Sequence, residues 1–157
     1  LNVQPLPADH EQPSAFLGGQ IRTIRCTHGR GLVGKMMEHG VGYLIEMPGE
    51  PRLYLTGDTL LTPAVEAFAA LHRPDVSVVP AGGARFDLGG DIIMGIDEVL
   101  AFTQQSSGTV VANHLEALSH CPVTRQSLAN AARQASIKSR LLIPNDGDVL
   151  EFQIQPQ

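Results

Sequence analysis

The sequence predicts an α+β domain in which helices cover a mixed sheet. Two observations carry this. Residues 41–47 (VGYLIEM) and 52–56 (RLYLT) are two strand-like runs around Pro48–Gly49–Glu50–Pro51, which reads as a hairpin with a four-residue connection. From residue 62 onward, short β-branched runs alternate with stripes at helical spacing. Hairpins followed by strand–helix alternation require helices packed on sheet faces.

The elements follow in order. Residues 1–6 (LNVQPL) read as a strand in mid-fold, and the chain starts with Leu1 rather than Met, so it reads as the downstream part of a longer polypeptide. Residues 9–14 (DHEQPS) are polar and contain Pro13, which marks a loop. Residues 20–26 (QIRTIRC) form a strand around Ile21 and Ile24, and Thr27–His28–Gly29–Arg30–Gly31 is a loop at its end.

Thr62 caps a helix with Pro63 at its first position, and Val65, Phe68, Ala69 and Leu71 make its apolar stripe. Pro74 stops it. Residues 76–79 (VSVV), between Pro74 and Pro80, form a buried strand. Residues 81–91 (AGGARFDLGGD) make a glycine-rich loop of functional length. A second helix covers residues 96–104, with Ile96, Val99, Leu100 and Thr103 on one face. Residues 109–112 (TVVA) are a short buried strand ending in Asn113–His114. Thr124 caps a third helix whose Leu128, Ala131, Ala132 and Ala135 share a face. Residues 141–143 and 149–154 are closing strands around an Asn145–Asp146–Gly147–Asp148 turn.

Composition narrows the function. The chain of 157 residues is one domain, 1–157, with 43% hydrophobic and 17% charged residues, so it builds a core. A net charge of −5 without a basic run argues against nucleic acid as a partner. No apolar stretch reaches the ~20 residues that span a bilayer. Pro5, Pro7, Asp9 and Glu11 break any signal-peptide pattern. The two cysteines, Cys26 and Cys121, lack zinc-type spacing, and such sparse usage fits a reduced, cytoplasmic setting.

The chemistry sits after the strands. Arg52–Leu53–Tyr54–Leu55–Thr56 ends abruptly in Gly57–Asp58–Thr59. An Asp there often only caps a turn. Here it keeps company with His28 and His114, each just past another apolar run. Neutral imidazole and carboxylate suit zinc, iron or manganese. Asp58 has two oxygens and could bridge two cations ~3.5–4 Å apart, lowering the pKa of a shared water. A lone His after a strand is more often structural, and the case rests on the three together. The other candidates read as structural. Asp9–His10 is loop, His39 a solvated turn residue, His72 a helix end that favours a cation, and His120 a loop residue. Arg85, Asp87 and Asp91 could contact substrate. Gly82–Gly83 and Gly89–Gly90 lack the Gly-Lys-Ser/Thr of a phosphate loop, and Asp146 and Asp148 are turn residues.

Thr27–His28–Gly29, Tyr54–Leu55–Thr56–Gly57–Asp58–Thr59 and the strand ending in Asn113–His114 together resemble the later motifs of the metallo-β-lactamase superfamily. The nearest branch is its metal-dependent hydrolases related to ascorbate-6-phosphate lactonase, and the resemblance covers residues 20–152. It implies an αββα sandwich with two divalent metals, zinc foremost, at one edge. It implies His28 as a ligand of the first metal, Asp58 as the bridging and catalytic ligand, and His114 as a ligand of the second. Thr56 and Thr59 would orient Asp58. The implied reaction is hydrolysis of a small-molecule ester, lactone or phosphodiester. The family's first motif, His-x-His-x-Asp-His, is absent here. With Asp58 and only two histidines, neither metal reaches three protein ligands. The chain as given is therefore expected to bind metal weakly and to be inactive alone. The alternative is a non-catalytic scaffold or subunit with the same fold.

Overall fold

The computed structural model describes residues 11–37, 40–86, 90–116 and 118–153. The predicted strand at 1–6, together with Asp9, His10, His39 and Asp87, lies outside the described residues.

One mixed sheet dominates. Its seven strands are ordered β1 (Ser14–Phe16), β2 (Gly19–Arg25), β3 (Val41–Glu46), β4 (Leu53–Leu55), β5 (Val76–Pro80), β8 (Thr109–Asn113) and β9 (Leu141–Leu142). A separate two-stranded piece pairs β6 (Arg85–Phe86) with β7 (Gly90–Asp91). The four helices among the described residues are α1 (Gly31–Met37), α2 (Pro63–His72), α3 (Ile96–Gln105) and α4 (Arg125–Gln134). Strands β1 to β4 pair antiparallel, whereas β4, β5, β8 and β9 run parallel. Short connections join β1 to β2 and β3 to β4, the segment carrying α1 joins β2 to β3, and α2, α3 and α4 lie in the crossovers that parallel pairing demands.

This topology positions the site. Because β2 and β4 both pair antiparallel with β3, they point the same way. Parallel pairing extends that direction to β5 and β8. The C-terminal ends of β2, β4, β5 and β8 therefore share one edge of the sheet, the edge where sheet enzymes carry their chemistry.

One face of the sheet packs against helices. Leu44, Tyr54, Val79 and Val110 are fully buried there with Val65 and Phe68 of α2, Val99 and Phe102 of α3, and Leu128 and Ala132 of α4. The Tyr54 and Phe68 rings lie 5.2 Å apart. Caps set the helix starts. The Thr62 hydroxyl accepts from the Val65 N–H at 3.3 Å, and Thr124 and Ser127 form a reciprocal capping box. By register, Tyr43, Ile45, Leu53, Leu55 and Val78 fall on the opposite face, and none of these is fully buried.

Several expectations need correction. Ser14–Phe16 is strand, not the end of a loop, because Leu17 and Gly18 take φ of 47° and 86° and close a two-residue hairpin. Gly31–Met37 is helical although its two glycines hide the pattern. The β3–β4 connection has six residues rather than four, since Pro48 and Pro51 stop the pairing early. The 81–91 loop contains the β6–β7 pair. Residues 149–153 form no strand; Val149 is 84% exposed and finds no neighbour beyond the two-residue edge strand β9.

Candidate metal centre

Asp58 and His114 meet at the shared edge. The Asp58 Oδ2 lies 3.8 Å from the His114 Nε2, and both side chains are partly open to solvent. Leu55 of β4 pairs with Val78, and Asn113 of β8 pairs with Pro80, so both residues leave the sheet beside the end of β5.

The backbone around Asp58 is tightly specified. Gly57 adopts φ of 69°, and a Cβ there would stand 2.7 Å from the Cys26 Sγ and 2.8 Å from the Val41 carbonyl. Only glycine fits. The Thr59 Oγ1 accepts from the Thr27 N–H at 2.9 Å, and the Leu60 N–H returns a bond to the Thr27 carbonyl at 2.9 Å. Thr56 donates its hydroxyl to the Gly57 carbonyl at 3.1 Å. Both threonines thus brace the turn's backbone rather than the Asp58 carboxylate.

Those two bonds to Thr27 lock the residue before His28 against the residues that follow Asp58. Further along this loop, the Arg30 Nη2 lies 3.6 Å from the Glu98 Oε1 at the start of α3. The His28 ring makes no hydrogen bond or ion pair among the described residues. Nor do the described residues contain a group of three or more His, Cys, Asp or Glu side chains placed to hold a metal ion.

His114 has φ of 56°, a left-handed conformation uncommon for a residue with a side chain. The loop after it is tied to α4, because Arg125 bonds Glu116 through its backbone N–H at 3.0 Å and also pairs with it through the guanidinium. That guanidinium holds the Glu116 carboxyl below its usual range. Its other reach is to Asp146 and to the Pro144 carbonyl, the latter at 2.8 Å.

Two thiols flank the pair. The Cys121 Sγ is 3.6 Å from the His114 Nδ1. The Cys26 thiol donates to the Thr56 carbonyl at 3.0 Å. Burial first, and the Asp58 charge second, raise both thiol pKa values, Cys26 to about 11. Both therefore stay protonated at neutral pH. Sequence reasoning missed Cys121, because a lone cysteine seven residues beyond His114 matches no ligand spacing.

The other described histidines, His72 and His120, have different neighbours. His72 packs on Phe68, with ring centroids 4.4 Å apart. Its burial and then the Arg22 charge lower its pKa. His120 stacks on Phe86 and lines a surface pocket with Arg85, Ser119 and Pro122.

The pair fits part of a metal site. Two ligands each ~2.0–2.2 Å from one ion can stand up to ~4 Å apart. The Asp58–His114 separation lies within that span.

The family now follows from comparison. The profile of the beta-lactamase superfamily domain matches residues 4–113. The chain is also 31% identical over 144 residues to the UPF0173 protein YddR of Bacillus subtilis, covering 90% of this chain and 56% of that one. The chain belongs to the metallo-β-lactamase superfamily. Proteins of known structure share its fold. An isothiocyanate hydrolase from Delia radicum gut bacteria superposes with a TM-score of 0.88 at 27% identity, over 98% of this chain and 60% of that one. A possible metal-dependent hydrolase from Veillonella parvula gives 0.80 at 24% identity, over 88% of this chain and 56% of that one. The chain spans somewhat over half the length of these proteins. Among the described residues no helix is long and apolar enough to cross a membrane.

Proposed function

We propose that the protein is a metal-dependent hydrolase of small molecules whose ion is held in part by Asp58 and His114. The observation that carries this is the 3.8 Å approach of Asp58 Oδ2 to His114 Nε2 at the edge where four strands end. When bound, a divalent ion at such a site supplies Lewis acidity and lowers the pKa of water toward neutrality. The chain's own residues supply the rest. Asp58 brings negative charge to the ion and two oxygens able to span a metal pair. His114 contributes the neutral Nε2. The Gly57 turn and the Thr27–Thr59 bond hold the carboxylate at the sheet edge. His28 would contribute a ligand to the first of two metal positions in this reading, with zinc ahead of manganese or iron because imidazole and carboxylate both suit it.

The substrate is a small electrophile open to attack by water. An ester, a lactone or a phosphodiester fits the hydrolytic reading. The likeness to an isothiocyanate hydrolase adds an isothiocyanate carbon to that class. A cytoplasmic setting accords with two thiols that stay unpaired. The described residues assemble no group of three donors, which favours a second reading in which the chain keeps the fold as a scaffold without a working site.

The test uses the protein extended to the length of its relatives, assayed for bound metal and for turnover of an isothiocyanate, a lactone and a phosphodiester. Hydrolysis of at least one, with metal bound, is expected. Asp58→Ala should lower turnover by more than about 100-fold, since loss of outer partners alone costs 10–100-fold. Wild-type turnover in the variant would remove Asp58 from the site. A metal-free, inactive extended protein would establish the scaffold reading.

A further inference from the structure

We propose that Cys121 is a positioning residue for His114, its thiol holding the imidazole Nδ1 so that Nε2 is aimed at Asp58 and the ion. This rests on the reading of Asp58 and His114 as ligands. The ring is bracketed: the Cys121 Sγ stands 3.6 Å from Nδ1, and the Asp58 Oδ2 stands 3.8 Å from Nε2 on the other side. Ligating histidines commonly spend their second nitrogen on such a partner, which fixes ring orientation and tautomer.

The thiol is built into place. Cys121 is 7% exposed, and its N–H donates to the Leu118 carbonyl at 3.0 Å. The next bond along, from the Val123 N–H to the Gly82 carbonyl at 3.1 Å, pins this loop to the end of β5. Gly82 makes the approach possible. A Cβ there would meet the His114 carbonyl at 2.3 Å and the Cys121 Sγ at 3.0 Å. The glycine, the thiol and the left-handed His114 therefore form one packed unit.

A thiol is suited to this position because it both donates and accepts. Where Nδ1 carries no proton, S–H donates to it; where Nδ1 is protonated, Nδ1–H donates to sulfur and leaves the Nε2 lone pair for an ion.

The experiment compares Cys121→Ala, Cys121→Ser and His114→Ala in the full-length protein. Zinc affinity is measured by chelator competition, and the His114 tautomer by nitrogen-15 imidazole spectra of the zinc-loaded wild type. Cys121→Ala should weaken zinc binding about 10–100-fold, and Cys121→Ser, which keeps donor and acceptor, should restore most of it. The wild-type spectrum should place the proton on Nδ1. A folded Cys121→Ala with wild-type affinity, beside a His114→Ala that loses it, overturns the inference while leaving the ligand reading intact. An unchanged affinity in His114→Ala overturns the ligand reading and this inference with it. If Cys121→Ala does not fold, the spectrum and the serine variant decide, and a proton on Nε2 in the zinc-loaded protein overturns the inference.

Discussion

Gly57 shows how one residue controls the candidate centre. Its φ of 69° and the 2.7 Å approach of the Cys26 Sγ leave no room for a side chain. Gly57→Ala should cost at least about 1–2 kcal/mol from the left-handed backbone alone, with the clash added. Because the adjacent residue is Asp58, the same change should lower metal affinity in the full-length protein. Urea unfolding and zinc titration of the variant check both effects, and wild-type values in both would mean the turn relaxes without moving the carboxylate. Tyr54 lies three residues earlier in the same stretch. Its hydroxyl is buried without a hydrogen-bond partner among the described residues, and burial pushes its pKa up. The core accepts this cost for the ring's packing on Phe68.

At the scale of elements, the starts of β4 and β5 are joined by an ion pair. The Arg52 N–H donates to the Asp75 Oδ2 at 2.8 Å, and the guanidinium lies 3.3 Å from the same oxygen. Partial burial would raise the Asp75 pKa, but the bonds from Arg52 outweigh it and the net shift is downward. A carboxyl with a lowered folded pKa stabilises the fold above its unfolded pKa, near 3.8 for this group. That stability is lost as pH falls through the lower, folded value. Asp75→Asn should therefore flatten the acid limb of a melting-temperature profile below about pH 4. At neutral pH it should cost less than about 1 kcal/mol, because the pair is solvated. An unchanged acid limb would show that Asp75 titrates alike in the folded and unfolded chain.

Across the whole molecule, the two sheet faces differ. Three helices seal one face, where Leu44, Tyr54, Val79 and Val110 have at most 0% exposure. On the other, Tyr43 is 38% exposed, and Ile45, Leu53, Leu55 and Val78 are only partly covered. Ile21, Val76 and Val111 on this face are buried, but the partly exposed side chains around them can bind apolar probes and promote association. The 157-residue chain should enhance anilinonaphthalene sulfonate fluorescence and self-associate on sedimentation. The protein extended to its relatives' length should do neither. Equal dye binding by both would mean that the additional length does not cover this face.

Much of this protein was readable without its fold. Pattern alone located β3, β4, β5, β8 and the three longer helices, because strand alternation, proline punctuation and threonine caps are local signals. Asp58 and His114 stood out for the same reason: each is a polar residue directly past an apolar run. Other features were not local. The β1 strand depends on the positive φ of Leu17, which composition does not encode. The α1 helix forms despite two glycines, and residues 149–153 form no strand beside the two-residue β9. The direction shared by β2, β4, β5 and β8 comes from pairing, and only that pairing sets Asp58 against His114 across 55 intervening positions. The Cys121 contact is the clearest case. Sequence supplies a thiol and a glycine with no visible relation, and their relation to His114 exists only where the end of β5 packs against the loop after β8.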